Sequence, residues 1–99
     1  MMSGSTRTSA DLDVRRRKIL FRAWHRGIRE MDLIMGRFVD AEIGTLADGE
    51  IGEIEGLLDV PDADLYRWIS GEAETPSNYD TPILRRIRAF HTHGAPIHS

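Results

Sequence analysis

Apolar residues recur at helical spacing in five stretches of the chain, separated by glycine, proline and short polar segments. Over residues 13–26 (DVRRRKILFRAWHR), Val14 and Phe21 are seven apart, with Ile28 seven further on, and Leu20 and Trp24 are four apart. Arg15, Arg16, Arg17, Lys18 and Arg22 fill the remaining surface of this predicted helix. Asp13 is its expected N-cap, and Gly27 its expected C′ residue, where the missing Cβ permits a left-handed turn. A second helix is predicted at 28–43. Met31, Ile34, Met35 and Phe38 fall at i, i+3, i+4 and i+7, and Val39 and Ala41 widen the stripe. Gly36 inside it costs about 1 kcal/mol relative to alanine, a cost consistent with close helix packing.

The third stretch, 46–58 (LADGEIGEIEGLL), aligns Ala47, Ile51, Ile54 and Leu58. Gly49, Gly52 and Gly56 lower its propensity, so packing has to hold it, and Thr45 or Asp48 is its expected cap. A fourth helix is predicted at 62–70, opened by Pro61-Asp62, closed by Ser70-Gly71, with Leu65, Trp68 and Ile69 inward. Residues 71–80 (GEAETPSNYD) read as a loop. Thr81-Pro82 opens a fifth helix, with Ile83, Leu84, Ile87 and Phe90 inward and Gly94 and Pro96 ending it. No stretch sustains the period-two alternation of a strand. The expected fold is all-α, a compact five-helix bundle with short connections. The expected organisation is a disordered lead-in at 1–12, one helical domain at 13–94 and a tail at 95–99.

With 99 residues the chain has room for one small core. Apolar content of 40% against 29% charge is that of a globular protein. The absence of cysteine excludes disulfides, thiolate nucleophiles and cysteine-ligated zinc. No apolar run reaches the roughly 18–20 residues that span a bilayer, and the polar N-terminus has no signal-peptide core, so a cytoplasmic protein without direct membrane insertion is expected. The net charge of −3 conceals a segregation: residues 1–29 carry eight Arg or Lys against two Asp (+6), residues 30–80 two Arg against fourteen Asp or Glu (−12), and residues 81–99 three Arg (+3). Such a chain can neutralise itself by packing its basic ends on its acidic middle, or present two faces to a partner.

Candidate chemistry is sparse. His91 and His93, with His98 beyond, lack the three or four convergent ligands a metal needs, and residues two apart on a helix point in different directions, so no metal site is expected. The acidic pairs Asp40/Glu42, Glu50/Glu53 and Asp62/Asp64 have no evident cleft and read as a solvated face. The serines lack an elbow motif, and there is no phosphate-cradling glycine loop. No catalytic residue is assigned, and an enzyme is not expected. The run Arg15–Lys18 raises a helix-turn-helix-like DNA-binding module as the alternative function. Acidic third and fourth helices would be repelled by phosphates, however, so nucleic acid is not among the expected partners.

The junction RGIREMD, residues 26–32, is also densely polar. Structure alone offers a reading: Gly27 at the turn, Glu30 at N3 in a capping-box role, and Arg26 at the carbonyl end of the first helix. It leaves Arg29 unexplained.

Arg26-Gly27-x-x-Glu30 resembles the RGxxE signature of the SdhE-type flavinylation factors, which assist succinate dehydrogenase assembly. REMDLIMGRFVD resembles that family's second helix, and TLADGEIGEIEGLLDVPDADLYRWISG its acidic helix, double leucine, Pro-Asp turn and aromatic-Arg-Trp helix; the resemblance covers roughly residues 13–92. It departs at Ala47, where relatives often carry a serine cap, and in a slightly longer DVPDAD linker. The resemblance implies a five-helix bundle that binds the flavoprotein subunit of succinate dehydrogenase, and in some bacteria that of fumarate reductase. It implies that covalent attachment of FAD to a histidine of that subunit is promoted without the helper binding a cofactor stably itself, and that the helper is a monomer when free. Carried onto this chain, the partner-binding residues are Arg26, Gly27 and Glu30, with Ile28, Arg29 and Asp32 flanking them. Gly27 would let two backbones approach, Arg26 would offer planar hydrogen bonds, and Glu30 would accept from a partner donor or hold the turn.

Overall fold

A computed structural model describes residues 12–93, excluding the side chain of His93. Five α-helices follow one another: α1 (Val14–Trp24), α2 (Arg29–Glu42), α3 (Asp48–Leu58), α4 (Asp62–Ser70) and α5 (Pro82–His93), with short 3-10 turns at Ile43–Thr45 and Ser77–Tyr79. No strand occurs among the described residues. The all-α bundle expected from periodicity is the fold. The lead-in at 1–11, the stop at Gly94 and Pro96, and His98 lie outside the described residues.

Local chemistry sets most of the helix ends. Asp13 caps α1 as expected, its Oδ1 accepting from the Arg16 N–H at 2.8 Å. Gly71 closes α4 at φ +86°, in the left-handed region that favours glycine. The Thr81 hydroxyl accepts from the Leu84 N–H at 3.2 Å, with Pro82 in the first turn of α5 where no N–H is needed. At α3 the N-cap is Ala47, which has no acceptor. Only the Glu50 carboxylate reaches back, to the Ala47 N–H at 2.8 Å, so half of a capping box forms. The helix starts at Asp48 rather than at 46, and Thr45 turns its hydroxyl to the Glu42 carbonyl instead of capping it.

The core is one cluster drawn from all five helices, including Ile19, Leu20, Met35, Phe38, Ile54, Leu57, Leu65, Ile69, Ile83 and Ile87. Leu12, just ahead of α1, is buried with it. α1 packs on α2 and α3, and α5 on α2, α3 and α4. Gly36 is buried in α2 under the indole of Trp24. A Cβ there would lie 2.5 Å from Trp24 Cε3 and closer still to Cδ2, so the glycine is what lets α1 and α2 meet at this level.

One expectation reverses. The heptad set Val14, Phe21 and Ile28 is not an inner face: these are the exposed large apolar side chains of the described residues, at 56%, 55% and 50% exposure. The buried face of α1 is Ile19, Leu20, Ala23 and Trp24. Those four positions recur at i, i+1, i+4 and i+5, a stripe two residues wide that a seven-residue spacing does not pick out.

Candidate docking corner at the α1–α2 junction

The junction spans more residues than its sequence suggests. α1 ends at Trp24, with His25 as C-cap, and α2 begins at Arg29, with Ile28 as N-cap. Gly27 is therefore not the C′ residue but lies two residues beyond the cap. It carries φ +101°, a conformation that a side chain makes costly, while a Cβ there would meet nothing within 4 Å. The glycine is required by the backbone, not by crowding inside the fold, and its outer side is open.

The N-cap at Ile28 places Glu30 at N2 rather than N3, and no side chain caps α2. The expected capping box with Glu30 is absent because the helix starts one residue later than predicted. Asp32 takes the task of holding the turn: its Oδ1 accepts from the Arg26 N–H, linking the two sides of the corner. Glu30, exposed on the same turn, instead faces α4 and accepts from the Tyr66 hydroxyl. The negative charge beside that phenol, with some burial and the hydrogen bond, holds Tyr66 above its usual range.

Arg26 is the least accessible charged group of the corner, its side chain 8% exposed. Nε donates to Asp62 Oδ1 at 2.7 Å, Nη1 to the Leu58 carbonyl at 2.6 Å and Nη2 to the Val60 carbonyl at 2.6 Å. The guanidinium thus caps the carbonyl end of α3, ties the turn that follows and meets the first residue of α4. The planar fork anticipated for a partner's carboxylate and carbonyls finds that set within its own chain. Asp62 and Tyr66 belong to the corner, although sequence reading placed Asp62 at a helix start and on a solvated face; its side chain is instead 16% exposed and paired with Arg26. Their partners are 36 residues away, and no local pattern links them. Gly27, Ile28, Arg29 and Glu30 remain exposed along the ridge.

The basic run of α1 is largely committed to internal contacts. Arg15 pairs with Glu55 at 2.7 Å, and Arg16 donates to Asp13 and to the Ile43 and Leu46 carbonyls. Arg22 pairs with Asp59 at 2.6 Å. A stripe spent this way has little left for a phosphate backbone. Among the described residues no group of three or more His, Asp or Glu is placed to hold a metal, and no helix is long and apolar enough to cross a membrane.

The fold and corner define a small helical module with an exposed ridge organised by backbone geometry and one clamped arginine. Residues 17–91 match the family described as flavinator of succinate dehydrogenase, and the chain belongs to that family. It is similar to the FAD assembly factor SdhE of Acetobacter pasteurianus, at 40% identity over 77 residues, 78% of this chain and 71% of that protein. It is also similar to the mitochondrial succinate dehydrogenase assembly factor 2 of Dictyostelium discoideum, at 30% identity over 79 residues, and of Debaryomyces hansenii, at 36% over 78. These alignments take in 80% and 78% of this chain but only 56% and 51% of those proteins, so the chain spans about half the length of the mitochondrial relatives. No solved structure matches it.

Proposed function

We propose that this protein is an assembly factor that binds the flavoprotein subunit of succinate dehydrogenase and promotes covalent attachment of FAD to it, without itself catalysing bond formation or holding the cofactor. The observation that carries this reading is the family match across residues 17–91, which takes in α2 to α4 whole and most of α1 and α5. The reacting groups belong to the client: a histidine and the methyl carbon of its flavin. Holding such a pair in register can contribute several kcal/mol, up to roughly 7–11 in ideal intramolecular cases. A helper achieves this by binding the attachment-competent arrangement of the client more tightly than other arrangements. The flavoprotein of fumarate reductase is a second client on the same reading. The similarity to the bacterial factor supports action in the cytoplasm; that the protein is monomeric when free is part of the same proposal.

Within the corner, Gly27, Ile28, Arg29 and Glu30 form the contact ridge of this proposal, while Arg26 and Asp32 set its shape from behind. The decisive measurement is covalent FAD on the purified succinate dehydrogenase flavoprotein, quantified by in-gel fluorescence with and without this chain; no increase on adding it would sink the reading. Replacing Gly27 by leucine tests the ridge. A Cβ there meets no atom of its own fold within 4 Å but is strained by φ +101°, so a cost of about 1–2 kcal/mol in stability is expected. A folded Gly27→Leu protein should lose most of the stimulation, and full stimulation would remove the corner from the contact.

A further inference from the structure

We infer that the client is gripped through the outer face of α1, where Val14 and Phe21 form an apolar ridge beside the cations Arg17 and Lys18. The occupant assigned to it is an acidic surface segment of the flavoprotein carrying a large apolar side chain. This rests on the assembly-factor reading above and names a surface that reading leaves open.

Burial singles the face out. The described chain places its large apolar side chains inside, with three exceptions: two on this face of α1 and the third, Ile28, in the corner to which α1 leads. On this face Arg17, Lys18 and Arg22 surround Val14 and Phe21. Phe21 and Arg22 also border a shallow hollow shared with Leu58, Val60 and Pro61. Phe21 is held ready, its ring stacked on His25 at 4.0 Å between centroids with 17° between planes. His25 is fixed in turn by its Nδ1 donating to the Phe21 carbonyl at 2.7 Å. A half-exposed aromatic with a set orientation makes an anchor at small entropic cost.

Charge selects the partner. Arg15, Arg16 and Arg22 are engaged by carboxylates of this chain. Among the described residues Arg17 donates only to the Leu12 carbonyl, at 3.2 Å, and neither it nor Lys18 has a carboxylate partner. Two cations flanking an apolar ridge favour an acidic segment at this face, against the net charge of −3 of the whole chain, and steer its approach. The face also continues into the 26–32 corner, where Arg26 is too deeply committed to serve as the hook.

The test uses the full chain and the purified flavoprotein subunit, with affinity measured by titration calorimetry at two salt concentrations. Three variants keep the fold. Val14→Asp puts an acid in the first turn of α1, where the helix dipole favours it, and Lys18→Glu stands four residues before Arg22 in a helix-supporting order. Phe21→Asp alters a side chain that is already half exposed, with circular dichroism as the check. Expected are a loss of about thirtyfold in affinity for Phe21→Asp, the scale of an interface hot spot, and about tenfold for Val14→Asp. Lys18→Glu should bind more weakly and with a shallower salt dependence than wild type. Wild-type affinity in all three variants would overturn the inference while leaving the assembly-factor reading standing. A wild-type protein that does not bind the subunit at all would end both. A concentration-dependent dimer in sedimentation, lost in Phe21→Asp while client binding is unchanged, would assign the face to a second copy and overturn the inference equally.

Discussion

Two residues show how single side chains decide this structure, and in both cases magnitudes settle the outcome. Gly36 sits mid-helix, where alanine is favoured by about 1 kcal/mol on propensity alone. Its would-be Cβ overlaps the Trp24 ring, which is itself buried and cannot withdraw without moving α1. Overpacking costs about 1–3 kcal/mol, so Gly36→Ala is expected to lower stability despite the gain in propensity, by a net of up to about 2 kcal/mol in urea unfolding; an increase would show that Trp24 yields freely. Arg26 is the larger case. Removing it leaves Asp62, whose side chain is 16% exposed, without its partner, and two carbonyls without donors. Breaking one side of a buried ion pair costs about 3–5 kcal/mol. Arg26→Ala is therefore expected to lose about 3 kcal/mol in the same measurement. Arg26→Lys should recover only part of this, since an ammonium cannot reproduce the fork. A Arg26→Ala protein of unchanged stability that fails to bind its client would instead make the residue a contact group.

Among the elements, α3 is the one whose weakness was visible in advance, and it offers the cheapest improvement. Its N-cap Ala47 is extended (φ −76°, ψ 164°), the geometry in which a serine side chain would accept from N3, and Glu50 already supplies the reciprocal bond. Ala47→Ser should complete the box and raise the urea midpoint by the equivalent of about 0.5–1 kcal/mol; no change would mean that the first turn frays regardless. Helices bounded by residues that act locally were legible in the sequence: Asp13, Gly71 and Thr81-Pro82 do at their ends what their chemistry predicts, and α4 spans Asp62–Ser70 as read. The α1–α2 junction was legible only as a location. Gly27 marks a positive φ, yet the helix stops three residues before it because the chain uses 25–28 to cross the corner. The contacts Arg26 makes within its own chain were not readable, since its three acceptors lie 32–36 residues away and two of them are backbone oxygens that any sequence would supply. The seven-residue recurrence of Val14, Phe21 and Ile28 was real but belonged to the outside of the protein.

At the scale of the whole molecule, the segregation of charge along the chain is resolved by folding the basic ends onto the acidic middle. Arg15 and Arg22 reach Glu55 and the adjoining Asp59, and Arg86 of α5 bridges Glu42 at 2.6 Å and Glu50 at 3.1 Å. Each pair is substantially exposed and contributes little by itself, so their number and their shared dependence on ionised carboxylates matter more than any one. The hydrogen bond from Arg15 holds the Glu55 carboxyl below its ordinary value of 4.5, and the bond from the Arg16 backbone N–H holds Asp13 below 3.8. A folded-state value below the unfolded one means that the unfolded chain takes up protons first. The stabilisation is then fully present above the ordinary values and is lost as pH falls through the lowered ones. The urea midpoint should therefore stay level from about pH 7 to 5 and decline below about 4.5. Tyr66 gives the opposite edge: the Glu30 carboxylate raises its phenol, so that link persists below the ordinary value of 10.0 and is lost as pH rises past the raised one. Glu55→Gln separates the acid edge from general acid sensitivity. It should be slightly less stable than wild type at pH 7 and decline less steeply between pH 4.5 and 3; parallel curves would show that Arg15 and Glu55 contribute nothing, and that the basic helix is held to the acidic one by its apolar face alone.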